Sequence, residues 1–103
     1  MKVAFSLAKE DDRVVGKRFG RAPAFLIVDT ATNAEYILSN EDAVVAGHGA
    51  GTATSQRIVE NGVKLIVSGE LGPKAQQVLD AASIEAKLGM EGKDIDLLLS
   101  EME

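Results

Sequence analysis

The sequence predicts an α/β domain: a mixed sheet covered by helices, with elements in the order β-β-β-α-β-α-β-α. Three observations lead there. Short, continuously apolar runs open the chain, as in strands buried on both faces. Turn chemistry joins two early runs into a hairpin. The second half then alternates helical stripes with short apolar runs, the pattern of βαβ units with right-handed crossovers.

Taken in order, "KVAFSLA" (2–8) reads as a buried strand rich in strand formers. The segment 9–23, "KEDDRVVGKRFGRAP", is highly charged, with two glycines and a proline, and reads as a long loop of the kind that carries function. "AFLIVDT" (24–30) is the second strand, "ATN" (31–33) a turn with Asn33 suited to a left-handed position, and "AEYILS" (34–39) the third strand. Residues 40–51 form a linker. A helix is predicted from about Thr52 to Asn61, stopped by Gly62 at the C′ position. "VKLIVS" (63–68) is a strand, and "GELGP" (69–73) a turn that places Pro73 at the first helical position. Ala75, Val78, Leu79 and Ala82 make the apolar stripe of the next helix. "SIEAKL" (83–88) is a short strand, and Ile95, Leu98, Leu99 and Met102 repeat the helical stripe in a closing helix.

Composition narrows what such a domain can do. At 103 residues and 46% hydrophobic, the chain suits one domain over 1–103 with a mostly aliphatic core. A formal charge of −5 argues against a nucleic-acid partner. With no cysteine, neither a disulfide nor a thiolate-held iron–sulfur cluster is possible, and a lone histidine excludes the usual zinc sites. No apolar run is long enough to span a membrane, and the N-terminus lacks a signal-peptide pattern, so the expected compartment is the cytoplasm.

Three segments could carry chemistry. "VVAGHGAGTATSQ" (44–56) holds the single histidine, His48, among Gly47, Gly49 and Gly51, just before a helix. Glycines and a helix start favour an anion, but no lysine follows as a Walker loop needs, and the glycine spacing is not that of a dinucleotide fingerprint. "GKRFGRAP" (16–23) sets Lys17, Arg18 and Arg21 around Phe19 and Gly20, and guanidinium forks recognise carboxylates and phosphates. "SGELGPKA" (68–75) is a second glycine-rich turn into a helix, with Gly69, Gly72 and Glu70, the last either a ligand or a first-turn carboxylate. Loops at the carboxyl ends of neighbouring parallel strands converge on one crevice, so these segments are expected to meet.

In combination and order, "FGRAPAFLIVD" (19–29) and "GHGAGTATSQRIVENGVKLIVSGELGPKA" (47–75) resemble the dinitrogenase iron–molybdenum cofactor-binding family. With the first strand they span most of the chain. The resemblance implies a three-layer ribonuclease H-like α/β/α fold and a non-enzymatic role in binding or trafficking a preassembled, anionic iron–molybdenum or iron–sulfur cluster during cofactor biosynthesis. Cluster donor or acceptor proteins would be its partners. It implies His48 as metal ligand, Arg18 and Arg21 as anion partners, and Phe19, Gly20, Gly47, Gly49, Gly51, Gly69 and Gly72 as cofactor-binding positions. The chain departs from the family pattern at Arg18, where a histidine often precedes "FG", and at Ala24, where an aromatic residue commonly follows "RAP". A module that binds small anions or nucleotides without metal is the alternative. A hydrolase ranks last, because Asp29 is the one carboxylate expected at a strand end.

Overall fold

Five strands, β1 (Lys2–Ser6), β2 (Ala24–Asp29), β3 (Ala34–Ser39), β4 (Val63–Val67) and β5 (Glu85–Lys87), pair into one mixed sheet in the order β3-β2-β1-β4-β5. Helices α1 (Ala50–Glu60), α2 (Pro73–Ala81) and α3 (Ile95–Glu101) complete the described elements. This computed structural model describes residues 1–41 and 50–102, and for Ala50 and Gly51 the backbone alone. β1 pairs antiparallel with β2 and parallel with β4, β2 pairs antiparallel with β3, and β4 pairs parallel with β5. The predicted mixed α/β architecture is the observed one.

Alternation along the central strands divides the core in two. Ala4, Phe25, Ile27 and Ile66 face one side and pack against Ile58 of α1 and Ala75 and Leu79 of α2. Val3, Phe5, Leu26, Val28 and Val67 face the other side and meet Ile95 and Leu98 of α3. The result is three layers, helix–sheet–helix. Leu99 and Met102 pack on the edge of the second cluster, as their helical stripe predicts.

Local signals explain most element ends. Asn33 takes φ 62 in the hairpin turn and Gly62 takes φ 74 after α1, both at predicted positions. Pro73 starts α2 behind Gly72, and Asp94 caps α3 by accepting hydrogen bonds from the Asp96 and Leu97 amides. Two ends differ from expectation. The strand expected at 83–88 pairs only over Glu85–Lys87, because Ser83 and Ile84 close α2 instead. Ser83 adopts φ 59 and donates to the Asp80 carbonyl, while the Ile84 amide reaches the Leu79 carbonyl. That is a Schellman turn with serine where glycine is usual. The strand expected at 2–8 ends at Ser6, and Leu7 turns to bridge Val15.

The predicted long loop is therefore stitched to the body. Val15, Phe19 and Ala22 are buried, and the Phe19 ring lies 5.2 Å from that of Phe25. Arg13 binds the Glu35 carboxylate through both terminal nitrogens and Asp96 through Nε and Nη2, tying the segment to β3 and α3. Hydrogen bonding from Arg13 holds the Asp96 carboxyl below its ordinary range, and the Asp96 and Glu35 carboxylates push the Arg13 value up.

Candidate functional site

Because β3 and β4 both run parallel to β1, the carboxyl ends of these three strands share one edge of the sheet. The segments leaving that edge are the three that the sequence singled out. Two of them are joined by backbone. Gly69 donates to the Gly16 carbonyl at 3.1 Å, Glu70 to the Lys17 carbonyl at 2.6 Å, and Phe19 donates back to the Glu70 carbonyl at 3.1 Å. This is a one-residue parallel bridge between Arg18 and Glu70. Beneath it, the Ser6 and Ser68 hydroxyls at the ends of β1 and β4 meet at 2.8 Å, both buried.

Close chain approach sets the glycine positions here. A Cβ on Gly69 would stand 2.5 Å from the Lys17 carbonyl oxygen, and one on Gly16 would stand 2.8 Å from the Leu7 carbonyl oxygen. Neither could form without parting the two segments. Gly69 thus shapes the edge, and its amide is occupied by Gly16. Gly72 has open space around its Cβ direction and serves as the N-cap of α2 without a side-chain cap bond. Gly20 lies in the turn that the Ala22 amide closes onto the Phe19 carbonyl.

Phe19 is buried, so it anchors this turn, and its flanking cations are left outward: Lys17, Arg18 and Arg21 are exposed. Arg18 pairs loosely with Glu70, its Nε 3.8 Å from the carboxylate. The turn after β5 completes the rim, where Gly89 and Met90 donate to the Gly69 and Ser68 carbonyls and Glu91 lies against Gly69.

The third segment is anchored at both flanks. Asn40, the residue after β3, is fully buried. Its side-chain amide donates to the Ala22 carbonyl at 2.9 Å, and its side-chain oxygen accepts from the Thr54 hydroxyl of α1 at 3.0 Å. Arg57 of α1 reaches the Ser39 carbonyl at 2.7 Å. Asn40 and Thr54, which flank this segment in sequence, thus meet beside Ala22 of "RAP". His48, Gly47 and Gly49 lie outside the described residues, and Gly51 falls in the first turn of α1. Sequence reasoning missed Asn40. A polar residue directly after a strand and before a glycine-rich stretch was the available signal.

The carboxylate expected at a strand end lies elsewhere. Asp29 pairs in register with Lys2, at the opposite edge of the sheet, where it accepts from the Ala31 amide and sits 3.6 Å from the N-terminal ammonium. Among the described residues no three His, Cys, Asp or Glu side chains gather as a metal site, and no helix is long and apolar enough to cross a membrane.

Fold and edge together define a small α/β domain that presents a cationic, glycine-shaped rim at the carboxyl ends of parallel strands. The chain belongs to the dinitrogenase iron-molybdenum cofactor family, whose profile matches residues 1–103. That family is associated with the binding and biosynthesis of the iron–molybdenum cofactor. The chain is similar to the orange protein of Desulfovibrio gigas, solved in its apo form, at 33% identity and a TM-score of 0.89, over 98% of this chain and 85% of that one. It is also similar to a Thermotoga protein described as a candidate NifB protein, at 26% identity and a TM-score of 0.80, over 98% of this chain and 85% of the other. No curated protein matches it.

Proposed function

We propose that the protein is a non-enzymatic carrier that binds a preassembled, anionic iron–molybdenum or iron–sulfur cluster as cargo and passes it to an acceptor protein. The observation that carries this reading is the backbone lock between 16–19 and 69–70. It presents exposed Arg18 on the rim, and exposed Arg21 adjoins Ala22, whose carbonyl accepts from Asn40 just before the His48 segment. An anionic cluster needs no thiolate from its carrier when cations and one imidazole meet it at a rim. Arg18 and Arg21 would neutralise the sulfide and carboxylate periphery. His48 would supply the direct ligand, since it is the only imidazole in a chain without cysteine. A solved relative in an apo form fits a protein whose group comes and goes.

Anaerobic titration with isolated cofactor, or with a synthetic iron–sulfur cluster, tests the reading by absorbance and by metal retained after gel filtration. The wild type is expected to bind near one equivalent, His48→Ala to lose retention, and Arg18→Gln/Arg21→Gln to bind more weakly as salt rises. Equal retention by all three would overturn it. The exposed cations also suit small free anions, so a thermal-shift panel of nucleotides, phosphate and carboxylates belongs beside the titration. A shift there without cluster retention would favour the anion-binding alternative.

A further inference from the structure

The rim contains an acid that no structural task explains. Glu70 stands in "SGELGP", just before α2, where a carboxylate could cap the helix. It does not, because the N-cap is Gly72, no side-chain cap bond forms, and the first turn holds no acid. Its side chain is directed instead by the backbone bridge. The Lys17 carbonyl and Phe19 amide bracket Arg18 and bind the two sides of Glu70, so the residues stand opposite each other in a parallel pair. Side chains opposed in this way leave the bridge on the same face. The glycine before it cannot be replaced without moving Lys17, which fixes the register.

We infer that Glu70 is the internal counter-ion of the cargo site, occupying Arg18 while no anion is bound and giving way when one arrives. The inference rests on the proposed anion-binding role of Arg18. The character of the pair fits the task. At 3.8 Å, with side chains 65% and 58% exposed, it is accessible and weakly held. A buried, bidentate pair would lock the arginine, whereas a loose surface pair exchanges readily. Glu70 thereby holds back casual anions, and a multiply charged cargo that also reaches Arg21 displaces it.

The test is calorimetric titration of the full chain with citrate, a multivalent carboxylate, and with molybdate, in low-salt buffer. The forms compared are wild type, Glu70→Gln, Arg18→Gln, Arg21→Gln and Arg18→Gln/Glu70→Gln, each checked for folding by circular dichroism. Glu70→Gln is expected to tighten citrate binding about three- to tenfold, from lost competition and lost repulsion. Arg18→Gln is expected to weaken it, and adding Glu70→Gln to Arg18→Gln to change it much less. If Arg18→Gln weakens binding but Glu70→Gln leaves it unchanged or weaker, the counter-ion role falls and the site stands. An equal gain in both backgrounds also overturns the pairing. If neither Arg18→Gln nor Arg21→Gln weakens binding, or no form binds either anion, the site itself is wrong and the inference falls with it.

Discussion

Asn40 and Thr54 are hydrogen-bonded at 3.0 Å in the protein interior, and they bracket the stretch that carries the single histidine. The same Asn40 amide holds Ala22, so one buried side chain joins β3, α1 and the "RAP" turn. Asn40→Ala orphans a carbonyl and a hydroxyl away from water and should cost about 1–3 kcal/mol. Thr54→Val should cost less, because it leaves only one side-chain partner unmet. Urea denaturation reads both, and unchanged midpoints would show that water replaces the lost bonds.

Gly69 and Gly72 separate two roles that glycines play in one turn. Gly69→Ala drives a Cβ into the Lys17 carbonyl and should destabilise by about 1–3 kcal/mol, as other overpacked sites do. Gly72→Ala meets no atom and loses only cap preference, so its effect should stay within about 1 kcal/mol. Comparable melting temperatures for the two variants would contradict the close-approach account.

Ser83 holds a left-handed conformation that glycine adopts without penalty. Ser83→Gly should stabilise the protein by about 1 kcal/mol, since the Schellman bonds remain and the Cβ strain goes. Thermal unfolding is the check, and a loss of stability would mean that the serine has a tertiary role.

The Arg13–Asp96 contact has a defined acid signature. The folded-state pKa of Asp96 is lowered, so its contribution is complete above the ordinary carboxyl range and is lost as pH falls through the folded value. Asp96→Asn should therefore be less stable than wild type near neutrality, and the gap should close below about pH 4. Denaturation midpoints against pH measure this directly, and a gap independent of pH would assign the effect to packing.

Much of this fold was legible because its signals are local. Gly62, Asn33 and Pro73 each do the turn or helix-end task that their chemistry predicts. The end of α2 was not legible, because serine there occupies a glycine position and the neighbouring apolar residues look like a strand. The segment 9–23 reads as a long functional loop, and its charges conceal the buried apolar side chains Val15, Phe19 and Ala22 that stitch it to the body. At the site, residue types alone found the cations and the glycine turn that meet at one edge. They could not show that the close approach at Gly69 is by the protein's own chain rather than by a ligand. Nor could they distinguish a capping Glu70 from one turned toward Arg18, since that depends on a register between distant segments.

The pairing of β1 with β4 has a consequence for when the protein can work. Arg18 and Glu70 meet only after strands far apart in sequence have joined, and such non-local closure is intrinsically slow. On the proposed carrier role, a nascent chain that has not yet emerged past Glu70 has no Arg18–Glu70 rim and could not load. Such loading would act on the whole protein by mass action. Cargo at a hundredfold excess over its Kd would add about 2.7 kcal/mol to global stability. Empty and filled forms would thus differ in how often they open, and the empty form is the one a protease would meet unfolded first.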